Sequence, residues 1–522
     1  MCPCHPSASC VGCGHTFSRR GFLKRAGAAV VAAAALSPLT AVAQQTQDKK
    51  PRVALVFLSN SAGREMWPYP GYDCAAHHQE VLGLLGKGCP QVEFVPVVVE
   101  NPNDVPKAVA LKDSVDGYLL YFVTLSGYGD AVAPIAQLGK PMLLANYYLG
   151  GTAPFLTGYS SLSRRGAAVA AVSTTRPDDL VAVAREFADV NKTGVTAASF
   201  AQRCQEVYRR TFARTGEMKC LEDKVSLNGI GECVKRLKGS RFLIVGAGEV
   251  KSGEERNFLG SKGIFVGFEN LRALYDKVDR DEAAVWAKRW TERAEKVLEA
   301  APEWIAKAGA VYLAMLALMK QHGTDSITMN CLGGFADGQL PAYPCLGFMQ
   351  LLDDGSQGVC EAQPDDSVST LMGRILTGRG GYVSDPDLDT SKNQIVYAHC
   401  MALTKVFGPQ GASNKFRIRT LHNRDPRGCC AQSFLPEGYM TTTFRTNVAR
   451  KQMVIHQAKA VGNLDSDHGC RTQLLGEVRG DIEKLFHEWD RFGWHRVTVY
   501  GDVKEPLMEF GKALGLEVVQ EA

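Results

Sequence analysis

The sequence has no basic surplus once its first 43 residues are set aside. Arg19, Arg20, Lys24 and Arg25 are the only charged residues of that stretch, so the basic count falls from 59 to 55 against 55 acidic residues, and the formal charge from +4 to zero. A nucleic-acid partner calls for a basic excess or stripe, and that class is excluded. Long apolar runs are also missing. Beyond the leader the longest is Ala308 to Met319, short of the roughly 20 residues a membrane-spanning helix needs, so no stable membrane anchor is expected. There is no internal repeat, which excludes an array of stacked units, and no low-complexity tract after the leader. A dinucleotide fingerprint fails too: Gly246-Ala247-Gly248 follows a strand-like run, but the next glycine is Gly253, so the third glycine is misplaced. A strand-to-loop turn that needs small residues accounts for it.

The leader itself is informative. Ser18-Arg19-Arg20-Gly21-Phe22-Leu23-Lys24 precedes an apolar, Ala-rich run from Ala26 to Leu36, then Pro38 and the small-residue exit Ala41-Val42-Ala43. A charged start, a short apolar core and an A-x-A end describe a signal peptide, here over residues 1–43, and the arginine pair marks the twin-arginine route. The expected partner is therefore the twin-arginine translocation machinery, and the expected location is periplasmic or otherwise exported. Cys2, Cys4, Cys10 and Cys13, with His5 and His15 nearby, leave with the signal. The remaining twelve of the 16 cysteines stand singly, apart from Cys429-Cys430, and read as small buried hydrophobes rather than bridges.

Of 522 residues, 479 follow the leader; at about 150 residues per domain this suggests two to four domains. Gln44 to Pro51 is a polar tether. Strand candidates Arg52 to Leu58, Val92 to Val99, Gly117 to Val123 and Pro141 to Ala145 alternate with helical segments, and Asp178 to Cys220 reads helical. Strands at Arg241 to Val245 and Gly263 to Phe268, with long helices from Leu271 to Lys320, form a second unit. After Gly378 the pattern changes to short strands such as Phe416 to Leu421, Gly438 to Arg445 and Met453 to Ala458. Helix Asp481 to Asp490, strand Arg496 to Tyr500 and helix Val503 to Leu514 close the chain. The predicted class is α/β: two doubly wound α/β domains, over 52–160 and 161–378, followed by a mainly β C-terminal domain over 379–522.

Potential oxygen and nitrogen ligands are densest between residues 345 and 400: Glu361, Asp365, Asp366, Asp385, Asp387, Asp389 and His399. Glu361 follows the apolar tip Gly358-Val359-Cys360, and a carboxylate at the C-terminal end of a strand sits where α/β sheets place active sites. Asp385 follows Gly380-Gly381-Tyr382-Val383-Ser384, a second strand exit. His495 stands just before the final long strand. Two carboxylates and an imidazole suit a hard or borderline divalent ion such as manganese. The bland alternatives are a solvated turn for Asp385-Pro386-Asp387-Leu388-Asp389 and a hydrogen-bonded structural histidine.

Gly358-Val359-Cys360-Glu361-Ala362, the helix ending Leu376-Thr377-Gly378, and Asp385 placed 24 residues beyond Glu361 resemble the metal-binding region of the L-fucose isomerase family. The stretch Trp494-His495-Arg496-Val497-Thr498-Val499-Tyr500-Gly501-Asp502 resembles that family's final segment. The resemblance implies metal ligands at Glu361, Asp385 and His495. His399, in Tyr397-Ala398-His399-Cys400-Met401, is similar to the ligand histidine of the related L-arabinose isomerases and is a fourth candidate. The implied cofactor is a divalent metal, Mn2+, the implied partner a small-molecule sugar, and the implied assembly a homo-oligomer. The implied reaction is aldose–ketose isomerisation through an enediol, with Glu361 and Asp385 as catalytic groups that hold the metal and move protons between C1 and C2. Two departures are plain: Gln363 stands where the family has an acid, and the family's members work in the cytoplasm. The rival reading is a non-catalytic, exported sugar-binding protein with the same fold.

Overall fold

Arg52–Leu58 (β1) is apolar and buried at every position after Arg52, as a strand covered on both faces must be. The computed structural model describes residues 49–64, 67–125, 132–214, 216–248, 250–422, 424–425 and 427–522; the expected leader lies outside the described residues. β1 sits inside a five-stranded sheet with Glu93–Val99 (β2), Gly117–Phe122 (β3), Met142–Asn146 (β4) and Ala170–Val172 (β5), all parallel, in the order β2-β1-β3-β4-β5. This doubly wound order has its switch point between β1 and β3. Val53, Leu55 and Phe57 pack under helices Cys74–Gly88 and Pro177–Ala184, while Ala54, Val56 and Leu58 face helix Thr152–Arg164. That last helix also packs on the C-terminal part of the chain.

The second sheet comprises Arg241–Val245 (β6), Glu255–Phe258 (β7), Ser261–Val266 (β8), Ser326–Met329 (β10) and Gln357–Cys360 (β11), in the order β11-β10-β6-β8-β7, parallel apart from the β7–β8 hairpin. Gly246 leaves β6 with φ +71°, and a Cβ there would lie 2.1 Å from the Phe268 ring. The glycine is needed for the turn and for that packing. The segment read as long helices from Leu271 to Lys320 divides into Phe268–Tyr275, Arg280–Arg293 and Pro302–Gln321, with the short strand Lys296–Val297 (β9) between the last two. Asp279 caps the second of these helices and Pro302 opens the third, residues that start helices rather than continue them. Asp178 to Cys220 is likewise only partly helical, at Pro177–Ala184 and Ala197–Arg209.

The C-terminal region is rich in antiparallel strands: Tyr382–Asp389 (β12), Gln394–His399 (β13), Phe416–Arg419 (β14), Cys430–Ser433 (β15), Met440–Asn447 (β16), Gln452–Asn463 (β17), Thr472–Arg479 (β18) and Arg496–Tyr500 (β19), with Glu517–Gln520 (β20) parallel to β17. The order β16-β19-β12-β13-β18-β17, with β17 also paired to β16, closes these six strands into a barrel. Strands β15, β14 and β9 make a small separate sheet. The chain is thus α/β, with two parallel sheets followed by a mainly antiparallel C-terminal part.

One strand departs from expectation. Asp385 is not a strand exit, and Asp385 to Asp389 is not a solvated turn: β12 runs through all of it, with Asp387 and Asp389 buried. β12 pairs with β19 over Tyr382 to Ser384 and then with β13 over Asp385 to Asp389. Pro386, which has no N–H to donate, falls where the β19 ladder has ended.

Candidate functional site

The strand β11 ends at Cys360, and the next two residues, Glu361 and Ala362, adopt left-handed backbone with φ 66° and 49°. Each costs about 1–2 kcal/mol for a residue with a Cβ, and such strain is held where a side chain must be aimed. The turn leads directly into helix Pro364–Thr377, which Pro364 opens, and it leaves Glu361 on the wall of a cavity of about 770 Å³. Asp385, His399, Thr152, Trp67 and Trp494 line the same cavity, whose size suits a small molecule.

The barrel supplies the rest. His399 is the last residue of β13 and pairs with Thr472 of β18. His495 precedes β19, one step beyond the Ser384–Arg496 pair, so in antiparallel register it falls beside Asp385. Arg496 fixes that end of β19: its guanidinium donates to the carbonyls of Gly493, His495 and Trp489 and to the buried Glu521 carboxylate. His495 Nε2 lies 3.2 Å from Asp385 Oδ1 and 3.5 Å from Glu361 Oε2, and His399 Nε2 lies 3.8 Å from Glu361 Oε1. The ligand atoms of Glu361, His399 and His495 all fall within 4.8 Å of one another. His399 therefore belongs to the tight group, and Asp385 adjoins it through His495.

Behind the group stands Asp366, in the first turn of helix Pro364–Thr377. Its carboxylate accepts His495 Nδ1 and Arg445 Nε, each at 2.7 Å. Burial raises the Asp366 carboxyl, but the His495 and Arg445 charges outweigh it and hold the group down at about 2; the helix N-terminus also favours an anion there. Burial likewise works against charge on Asp385 and on His495, and is likewise overcome. Asp385 is held below the usual carboxylate range by the bonded His495, and His495 well above the usual imidazole range by Asp366 and Asp385. Because Nδ1 donates to Asp366, Nε2 is the atom turned toward Glu361 and Asp385, the second-sphere arrangement that sets a ligand histidine's tautomer.

His399 has both ring nitrogens buried without a hydrogen-bond partner, which costs free energy unless something occupies one of them. Glu361, Asp385 and His399 on the cavity wall, with His495 against both carboxylates, form an oxygen and nitrogen donor set that fits a divalent cation. Asp387, also on the cavity wall, accepts the Leu149 N–H and Thr152 Oγ1, the latter at 2.8 Å, and burial pushes its carboxyl up to about 8.

Sequence reading singled out Glu361, Asp385, His399 and His495, and the structure gathers them. Asp366 stands in the sequence only as one of several potential ligands between residues 345 and 400, and Arg445 carries no signal there. An aspartate in the first turn of the helix that follows Glu361 is the one local signal that pointed to the former. Of the twelve described cysteines, all but Cys220 are buried.

No family model matches the chain. Sulfoquinovose isomerase of Priestia aryabhattai is 27% identical over 237 residues, 43% of this chain and 51% of that protein. Sulfoquinovose isomerase of Clostridium sp. (strain MSTE9) is 25% identical over 218 residues, 40% of this chain and 46% of that protein. The chain thus spans about half the length of the curated relatives it matches. Among solved structures, an ABC transporter solute binding protein from Bacillus halodurans C-125 with bound myo-inositol is 15% identical, covering 57% of this chain and 83% of that one, at a TM-score of 0.18, too low to define a common fold.

Proposed function

We propose that the protein is a metal-dependent aldose–ketose isomerase that acts on a sugar through an enediol. The observation that carries this reading is the buried, unpartnered His399, on the cavity wall with Glu361 and close to His495, and the partial similarity to sulfoquinovose isomerases supports it. Glu361, His399, His495 and Asp385 are the residues that would hold a divalent cation, Mn2+ in this proposal. Such an ion supplies Lewis-acid polarisation of the sugar's carbonyl and neighbouring hydroxyl oxygens.

The chain's own residues supply the proton transfers. Asp385, kept ionised by His495, and Glu361 are the carboxylates that take the C2 proton of the aldose and return it to C1. Proton transfer by a positioned side chain contributes a factor of about 10² to 10⁴. Trp67 and Trp494 on the cavity wall offer apolar faces to the sugar and restrict water.

The test is the metal content of the purified protein, followed by aldose-to-ketose conversion over a panel of sugars headed by sulfoquinovose. Conversion that stops on chelation and returns with Mn2+ supports the proposal. Sugar bound unchanged by a protein that takes up no metal overturns it in favour of a binding protein.

The proposal extends to the leader and the assembly. The twin-arginine signal would send out a folded chain already closed around its ion, because manganese lies low in the affinity order and loses to copper and zinc in open competition. Periplasmic protein that carries manganese, and that disappears on Arg19→Lys with Arg20→Lys, is the expected result. Light scattering on the purified chain tests the proposed homo-oligomer.

A further inference from the structure

Three residues, Cys400, His422 and Cys470, build a second group on the same cavity. β13 and β18 pair as far as His399 and Thr472, so Cys400 and Cys470 stand just past the paired ends of two neighbouring strands. Their sulfurs lie 3.3 Å apart, well beyond the roughly 2.05 Å of a disulfide. His422 closes the group: its Nδ1 is 3.3 Å from Cys400 Sγ and 4.0 Å from Cys470 Sγ. All three residues are buried, and all three line the cavity.

The imidazole is held in place from two sides. The Trp67 ring stacks on it at 4.5 Å, and Arg471, next to Cys470, donates to the carbonyls of Thr420 and Leu421 at 2.8 and 3.1 Å, tying the His422 loop to the strand end. The spacing matches a known coordination geometry. With about 2.3 Å to sulfur and about 2.0–2.1 Å to nitrogen, tetrahedral zinc sets edges of about 3.8 Å between two sulfurs and about 3.6 Å between sulfur and nitrogen. The observed separations of 3.3, 3.3 and 4.0 Å straddle those edges.

We propose that Cys400, His422 and Cys470 form a second metal site, specific for a thiophilic ion, Zn(II) in the first instance, with the cavity side left for a fourth donor. Binding replaces two thiol protons: Zn(II) and two thiols give a neutral zinc dithiolate with one imidazole, and two protons pass to solvent. Two thiolates and one imidazole with an open position is a ligand set that zinc accepts, while soft sulfur disfavours manganese. The cavity then sorts ions by hardness, between the Glu361, Asp385 and His399 group, which His495 adjoins, and the sulfur-rich Cys400 and Cys470.

The test uses the full chain, purified under reducing conditions, stripped with a chelator and loaded with Co(II) as a spectroscopic probe, then with Zn(II). One equivalent of Co(II) with thiolate-to-cobalt charge-transfer absorption, displaced by Zn(II), is expected. That absorption should vanish in Cys470→Ser and persist in Glu361→Gln, which alters only the other group. Should Cys470→Ser misfold by circular dichroism, the wild-type spectrum decides alone, since cobalt without sulfur ligation overturns the proposal. Cu(I) held against a chelator that removes Zn(II) supports a thiophilic site and assigns it to copper. A Cys400–Cys470 disulfide in the purified chain, with no Zn(II) or Cu(I) uptake after reduction, overturns it.

Discussion

Exchanging Asp366 for Asn keeps the shape of the side chain and removes its charge. In the native fold the carboxylate sits at about 2 against an ordinary 3.8, a difference of about 1.8 pH units at about 1.36 kcal/mol each. Ionised Asp366 therefore contributes on the order of 2 to 3 kcal/mol. The folded value is the lower one, so this contribution is complete above about pH 4 and is lost as the pH falls through about 2. The amide must also choose an orientation. With its oxygen toward Arg445, its NH2 points at His495 Nδ1, which must then accept; the ring hydrogen moves to Nε2 and faces Glu361 and Asp385, where a ligand lone pair is needed. With its oxygen toward His495, the NH2 opposes the Arg445 guanidinium. Either way we expect urea unfolding at neutral pH to show a loss of about 2–3 kcal/mol. Calorimetric titration with Mn2+ should show affinity reduced by about 10- to 100-fold. Manganese bound as tightly as in the wild type would refute the claim that Asp366 orients His495 as a ligand.

Four further outcomes are expected. Glu361→Gln should lose both metal and turnover while the circular dichroism spectrum stays native; unchanged metal affinity would remove Glu361 from the ligand set. Gly493→Ala should destabilise the protein by at least about 2 kcal/mol in thermal unfolding and weaken metal binding, because the residue has φ +96° and its Cβ would meet Arg445 Nη1 at 1.4 Å, disturbing the Arg445–Asp366–His495 chain. Metal uptake should release protons, since His495 is held protonated by Asp366 and Asp385; calorimetry in two buffers of different ionisation enthalpy counts them, and affinity should fall as the pH is lowered. Asp387 keeps its proton up to about pH 8, so it favours the folded state less as the pH rises from about 4 to 8, by up to about 1.4 kcal/mol per pH unit; that slope should be missing from the unfolding curves of Asp387→Asn.

The elements that can be read from sequence are those whose burial is written into uninterrupted apolar runs, such as β1 and β3, or whose ends carry a fixed signal, such as Pro364 and Gly378 around the helix behind the site. The four candidate ligands were legible because each sits beside such a run. Asp366 was not, because its partners Arg445 and His495 are 79 and 129 residues away, and nothing local encodes the register that brings them in. The acidic run from Asp385 to Asp389 misled for a related reason. Its charge pattern is that of a solvated turn, whereas the distant donors Leu149 and Thr152 meet the buried Asp387, and the distant Thr175 joins the neighbouring Ser391 in meeting the buried Asp389. Cys400, His422 and Cys470 are likewise joined by the barrel and not by any short spacing.

Glu361 is rooted at the edge of the second parallel sheet, whereas Asp385, His399 and His495 belong to the barrel. An ion gripped by all of them is a rivet through a seam, and unfolding either side must pull it. At a free ion concentration a hundredfold above its dissociation constant, such a rivet adds about 2.7 kcal/mol to the apparent stability. Melting temperature then becomes a gauge of what fills the cavity. A plate of candidate ions, and afterwards a plate of sugars added to the best of them, can be ranked by heating alone before any reaction has been assayed.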